Sequence, residues 1–527
     1  MRAMWFVIRV AQEVATRLGL REVLFRTMQA SLMSRLIYIP FDQLNRDYGA
    51  MKIAHKDSDH IVLVESQRML TGRQWHRQRL QFLVSSARHF ADELKHEGWQ
   101  VTYVHSATTI EGLRTIQEQH PGAELVCAVP NSFKLKQQLE EHGATFVEND
   151  FFLTSRALFE LWAQKQTTFT MENFYRAQRK RLAILMDGSE PVGGAWNYDA
   201  ENRLPPPKVH DWGPPLYFTF DDIDNQVASE HSEGAWGKLE GKTWGTTRAE
   251  ALAQMKHFFT HHFKEFGPFE DAMPDGSWSG HHSLLSPYLN NGLLHASEVV
   301  RAALNRFAEW DIPLSSCEGF VRQIIGWREY INGMYWFLGE KYCDNNSLNA
   351  TRPLLPLFHD PEKTQMNCVK SVVSDINERG WTHHIPRLMV LSNLALIAGI
   401  SPQEFLNWMR EVFVDASDWV MVPNVIGMAT YADDGVLMTK PYAAGGAYIS
   451  NMGQFCKSCI YDPKKRTGDD ACPFTTLYWD FLDRNSETFS SNHRMFQQMG
   501  GLRRLSNLPD VKDRATQVLE GLDAGTI

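Results

Sequence analysis

Apolar and polar positions follow two different rhythms along the chain. In the first third, short apolar runs alternate with amphipathic stretches. Leu36–Ile39, Ile61–Glu65, Val101–Val104, Leu125–Val129 and Thr145–Val147 read as strands. Between the second and third of them, Leu80, Leu83, Val84, Ala87, Phe90 and Leu94 fall on one helical face, and Ile110, Leu113 and Ile116 mark another helix. Strands alternating with helices predict a parallel sheet covered on both faces, an α/β Rossmann-like domain over 36–165. Ligands of such sheets sit beyond the strand carboxyl ends, where Asp42 and Gln43 follow the first strand and Glu65 ends the second. No G-x-G-x-x-G follows the first strand, which argues against an ordinary NAD site.

The rhythm then breaks. Residues 166–247, with PVGGAWNYDAENRLPPP at Pro191–Pro207, have the Gly and Pro content of an irregular interdomain linker. Arg179, Lys180 and Arg181 within it read as a solvated basic face. From Arg248 onward the spacing is helical: Leu252, Met255, Phe258, Phe259, Phe263, then Phe320, Ile324, Trp327, Ile331, Met334. This predicts an all-α domain over 248–510, followed by a tail at 511–527. Residues 1–35 form an extension in which Arg2, Arg9, Arg17, Arg21, Arg26 and Arg35 face only Glu13 and Glu22, an Arg-rich amphipathic pattern. Met33 stands just before the first strand and reads as the working start.

The 527 residues suffice for two or three domains, and the net charge of −9 gives no bulk attraction to nucleic acid. Any DNA contact must come from a local basic patch. Seven cysteines, an odd and sparse set, point to a reducing, cytoplasmic setting. No apolar run reaches the roughly 18 residues of a membrane span. Sixteen tryptophans and thirty phenylalanines suit a large core, stacked cofactors or electron relays.

Four stretches carry candidate chemistry. Cys456 and Cys459 form a C-x-x-C, and Cys472 follows after twelve residues with Pro473 behind it. The spacing suits three corners of an iron–sulfur cluster, and it also suits zinc or free thiols. A fourth corner must come from Cys127, Cys317, Cys343 or Cys368. In HHSLLSPYLNNGLL (His281–Leu294), Ser283 and Ser286 are closely spaced hydroxyls able to hold a diphosphate. In Glu318–Trp336, Arg322 and Arg328 sit amid apolar residues and need partners. In WTHHIPRLMVLSN (Trp381–Asn393), His383 and His384 precede a helix that is apolar nearly all round.

Together these motifs resemble the photolyase/cryptochrome family: HSLLSPYLNNG its flavin-diphosphate motif, GWREY its flavin helix, WTHHIPRLM its active-site segment. Met366-Asn367-Cys368, PNVIGM (Pro423–Met428), TKPYAA (Thr439–Ala444) and the C-x-x-C…C-P run resemble more narrowly the bacterial iron–sulfur (6-4) photolyases. The resemblance implies an α/β antenna domain, a helical FAD domain, one [4Fe–4S] cluster with Cys368 as the fourth ligand, and a 6,7-dimethyl-8-ribityllumazine antenna. It implies light-driven repair of (6-4) photoproducts in ultraviolet-damaged DNA by a monomer. His384 matches the histidine that gives a proton to the lesion, with His383 in support and Tyr442 and Tyr448 as lesion-pocket aromatics. His282, Ser283, Leu285, Ser286, Gln323, Arg328, Arg387, Asp415 and Asn424 match flavin contacts, Trp408 an electron-transfer tryptophan, and Asp42 and Gln43 antenna contacts. Three family positions differ: a tryptophan is Asp360, a tyrosine is Met409 and an antenna-contacting glutamate is Met69. The alternative within the family is a blue-light photoreceptor without repair activity.

Overall fold

The structure, a computed structural model, describes residues 35–231 and 234–527. The Arg-rich amino-terminal pattern and Met33 lie outside the described residues. The apolar runs form β1 (Arg35–Tyr38), β2 (His60–Ser66), β3 (Gln100–Ser106), β4 (Glu124–Ala128) and β5 (Thr145–Val147). They make one sheet in the order β3-β2-β1-β4-β5, with every pairing parallel. Three crossover helices cover it: α1 (Arg77–His96), α2 (Thr109–Gln119) and α3 (Phe133–Glu141). Leu80, Val84, Ala87, Phe90 and Leu94 of α1 are buried, while Leu113, Ile116 and Leu139 of α2 and α3 pack the opposite face. Parallel strands require this double cover because their connections must cross over the sheet.

The linker is more ordered than its composition predicts. It contains α4 (Met171–Leu182) and α5 (Asp222–Glu230), while Pro191–Pro207 carries only single turns. Arg179, expected on a solvated face, is fully buried. Its guanidinium caps the carbonyls of Ile184, Leu185 and Trp196, so backbone oxygens take the place of water. A line of imidazoles straps the linker to the helical domain. His210 Nε2 meets His281 Nε2 at 2.8 Å, His281 Nδ1 meets His262 Nδ1 at 3.2 Å, and His262 Nε2 meets His257 Nε2 at 3.2 Å.

The remainder is helical. Its landmarks are α6 (Arg248–His261), α7 (Ser286–Asn291), α8 (Asn367–Arg379), α9 (Pro402–Val412), α10 (Pro473–Arg484) and α11 (Leu508–Ala524). Thr247 and Glu250 form a capping box that starts α6 after the linker. The apolar stretch after Pro386 runs through the centre of the largest core, with Val390, Leu391, Leu394, Ala395 and Ile397 each fully buried. The segment expected as a tail is mostly α11, whose Val511, Ala515, Val518 and Leu522 are buried. Among the described residues no helix is long and apolar enough to cross a membrane.

Candidate active site

Three helical stretches widen to an i→i+5 winding: Arg322–Arg328, Pro386–Ser392 and Asn424–Ala429. Such turns are rare and cluster at functional sites, because they displace side chains from the regular helical face. Each falls in one of the motifs singled out above, in RQIIGWR, PRLMVLS and NVIGMA.

One polar wall links two of the motifs. Arg387 donates from Nη1 and Nη2 to the two carboxylate oxygens of Asp415 at 3.0 and 3.1 Å. Ser286 Oγ donates to Asp415 Oδ2 at 2.6 Å, and Trp381 Nε1 lies 3.4 Å from Ser286 Oγ. Asn290, absent from the sequence-derived set, fixes the Asp415 carbonyl at 2.8 Å. The loop feeding Ser286 is strained: Leu284 has φ +57°, a left-handed conformation that costs a non-glycine residue energy and recurs where a ligand is gripped. Ser283 accepts from Leu285 N through Oγ and from Gln254 through its carbonyl.

The flavin-matched residues do not all gather at this wall. Gln323 donates to Glu270, on the histidine side. Arg328 pairs with Glu329 at 2.9 Å and reaches the carbonyls of Phe151 and Leu289, tying the α/β domain to α7. Asn424 donates to Val420 O. Trp408 is buried, with its ring among Phe358, Phe405 and Phe413.

Three imidazoles meet beside the wall. His282 stacks on His383 with centroids 4.2 Å apart, and His384 lies 5.5 Å from His282. Burial first, then the neighbouring imidazoles, hold His282 and His383 well below the ordinary histidine range, so both are neutral at pH 7. His282 Nε2 and His383 Nδ1 are buried with no hydrogen-bond partner among the described residues. Unpaired polar atoms of this kind mark a face that awaits a polar ligand. His384 differs: its side chain is 47% exposed, and its Nε2 faces Asp271 Oδ1 at 3.6 Å. It is the first residue of its helix, where a cation is disfavoured, and Asp271 supplies the opposing anion. Tyr442 and Tyr448 stand within electrostatic reach of Asp271 and Arg203, and burial pushes the Tyr448 phenol up to about 12. Asn393 clamps the tyrosine loop by bonding both the carbonyl and the N–H of Ala444, at 2.8 and 3.0 Å. Asp271 and Asn393 escaped the sequence reading; their signal was polar side chains inside otherwise apolar or aromatic runs. This wall and histidine face have the donors, acceptors and unpaired nitrogens that fit a flavin and a nucleobase.

The four cysteines converge from three elements. Cys368 is the second residue of α8, Cys456 and Cys459 flank a tight turn, and Cys472 precedes Pro473 at the start of α10. Asn367 bonds Ser458 Oγ at 3.1 Å, holding α8 against the C-x-x-C turn. Cys368 is buried within electrostatic reach of the other three thiols, and burial raises it well above the ordinary thiol range. Among the described residues, no three of these sulfurs lie within 4.8 Å of one another. Tetrahedral zinc, with bonds of about 2.3 Å, needs its sulfurs closer, whereas an inorganic cube of iron and sulfide holds them farther apart. An all-thiolate set at wider spacing fits the cluster better. Cys127 and Cys317 are buried elsewhere, each raised to about 12 by desolvation.

At the carboxyl ends of β2 and β3 lies a cavity of about 600 Å³, walled by Arg68, Met69, Trp75, Thr109, Lys134 and Glu411 among others. Asp42 and Gln43 do not line it. Asp42 accepts from Asn131 Nδ2 at 3.1 Å and is raised to about 6 by burial, and Gln43 donates to Val129 O at 3.1 Å. Both are engaged one strand away, between β1 and β4.

A family model described as deoxyribodipyrimidine photo-lyase-related protein matches residues 37–244. A (6-4) photolyase of Agrobacterium fabrum is 40% identical over 511 residues, covering 93% of this chain and 100% of the relative. Among solved structures, a class III photolyase from Agrobacterium tumefaciens superposes with a TM-score of 0.52 at 15% identity, covering 93% of this chain and 98% of that one. A Synechocystis cryptochrome gives 0.50 at 15% identity over 75% and 82%. These two share the fold: a parallel-sheet domain followed by helices. Identity at that level, sustained along almost the whole length, makes the chain a member of the photolyase/cryptochrome family, on its (6-4) photolyase branch.

Proposed function

We propose that this protein repairs (6-4) pyrimidine–pyrimidone photoproducts in DNA under blue light, with His384 as proton donor. What supports the reading is the histidine face: two buried neutral imidazoles behind one half-exposed imidazole paired with a carboxylate. A damaged base must leave the duplex to reach such a pocket. His384 then holds a proton at Nε2 within reach of the flipped base, and Asp271 keeps that proton in place. His383 and His282 exclude water behind it, and Tyr442 and Tyr448 wall the opposite side.

Ser283, Leu285 and Ser286 would hold the diphosphate of FAD, and Arg387 with Asp415 would flank its ring, with His282, Gln323, Arg328 and Asn424 lining the approach. Cys368, Cys456, Cys459 and Cys472 would hold the [4Fe–4S] cluster. A lumazine antenna would occupy the strand-end cavity, against Trp75 and Met69 rather than Asp42 and Gln43. When bound, FAD supplies one-electron photochemistry, the antenna light capture and the cluster a rigid redox-capable core.

The test is a (6-4) lesion-bearing oligonucleotide under blue light, with the purified holoprotein. His384→Asn should lower repair by about 100-fold or more while FAD and iron contents hold. Undiminished repair in that variant removes His384 as the donor. Flavin-loaded wild-type protein that leaves (6-4) lesions intact replaces repair with light sensing.

A further inference from the structure

Reduction of the flavin site from solvent needs a path for electrons, and Trp408 is closed in. Its ring is 1% exposed, and its neighbours Phe405, Phe358 and Phe413 lie 5.8, 4.8 and 6.0 Å away. Its Nε1 donates to Phe358 O at 3.0 Å. Phenylalanine is much harder to oxidise than tryptophan, so this shell cannot pass a hole outward. Asp360 and Met409, next in line, are not aromatic. Among the described residues no tryptophan or tyrosine ring meets Trp408.

A different aromatic line leaves the Ser286–Arg387–Asp415 wall. Trp381 is buried, with its Nε1 at Ser286 Oγ and the Arg387 guanidinium 5.7 Å from its ring centre. Trp278 lies 5.6 Å from Trp381. Trp244 is 6.1 Å from Trp381 and 6.2 Å from Trp278, closing a triangle. Trp278 Nε1 points to Tyr217 OH at 3.4 Å, and Tyr217 is 54% exposed. Arg379 lies 5.1 Å over Trp278 and opposes positive charge there, but Asp375 and Glu378 pair with it at 3.1 and 2.7 Å and offset that effect.

We infer that Trp381, Trp278 and Tyr217 conduct electrons from solvent to the flavin site, in place of Trp408. The inference rests on the FAD reading above. One electron leaves Trp381 for the photoexcited oxidised flavin. Trp278 refills Trp381, and Tyr217 refills Trp278 while releasing its phenolic proton to water. An exogenous thiol returns one electron and one proton to Tyr217, and two spent thiols couple to a disulfide. Trp244 has no outward contact in this line and serves as a side branch over which the hole spreads.

The experiment follows bleaching of oxidised-flavin absorbance in illuminated, anaerobic holoprotein with excess dithiothreitol. Freeze-trapped samples are read by electron paramagnetic resonance for tryptophanyl and tyrosyl radicals. Trp381→Phe and Trp278→Phe should each slow bleaching by about tenfold or more. Trp278→Tyr should recover part of the rate, and Tyr217→Phe should remove the tyrosyl signal. Trp278→Phe reduced chemically beforehand should repair within about twofold of wild type, which a merely structural role would not give. Because Trp278 is half-exposed, its variants keep the test open even if Trp381→Phe misfolds. Wild-type bleaching in Trp278→Phe, or loss of bleaching on changing Trp408 alone, overturns the inference. A protein purified without flavin overturns the FAD reading and this inference with it, whereas coloured protein with the wrong variant pattern overturns this one alone.

Discussion

Asp271 is the residue on which the histidine face turns. It opposes His384 Nε2 at 3.6 Å, lies 3.9 Å from Arg203 Nε, and acts electrostatically on both lesion-pocket tyrosines. Asp271→Asn keeps the shape and removes the charge. Repair of (6-4) DNA should then fall by about tenfold, with FAD content unchanged by absorbance. His384 was legible from the sequence because an adjacent histidine pair before a buried helix is unusual. Asp271 was not, since an acid in a Phe-Glu-Asp run reads as surface and its partner is remote in the chain. Asp415 carries a second consequence. It accepts both nitrogens of Arg387 and the Ser286 hydroxyl, and the Arg387 and Asp415 side chains are 17% and 7% exposed. Asp415→Ala leaves a largely buried guanidinium uncompensated, a loss on the order of 3–5 kcal/mol. A thermal melt and the retained flavin fraction measure it.

Among elements, the imidazole strap between the linker, α6 and the loop before α7 is the most pH-sensitive joint. Burial depresses His262 to about 4 and His281 to about 3, with His257, His261 and His210 adding repulsion and Asp211 opposing it. Both folded values lie below the ordinary value of about 6.5. The neutral strap therefore contributes fully above that pH, and its contribution falls as acid drives the rings toward imidazolium, which has no acceptor nitrogen. Melting temperature should drop between pH 7 and pH 4.5, and amide exchange should quicken first near His210. The cysteine elements make a separate expectation: Cys368→Ala should lose iron, measured by metal analysis, and stoichiometric iron would exclude Cys368 as a ligand. Strands and long helices were legible because IVLVE and the α1 face have one period each. The linker helices were obscured by Gly and Pro on either side. Arg179 was misread because its partners are backbone carbonyls, which no side-chain pattern announces.

For the whole molecule, a chain of net charge −9 that acts on DNA must concentrate its cations locally. Affinity for lesion DNA should fall linearly with the logarithm of salt concentration, the mark of phosphate contacts releasing counterions. An affinity indifferent to salt would mean that base contacts alone carry binding. The order of the two bodies, sheet first and helices second, was readable from the change in apolar period. The role of the last residues was not, because it depends on what they touch. α11 packs its buried face on the core beside α10, which begins directly after Cys472. Gln365, three positions before Cys368, donates to Thr526 O at 2.8 Å, and Arg352 pairs with Asp523. The carboxyl terminus thus acts as a latch on the two walls that carry Cys368 and Cys472. An affinity tag fused there, or trimming by a carboxypeptidase, would loosen the metal centre from outside, and fading of the brown colour would register the damage before any assay of light or DNA.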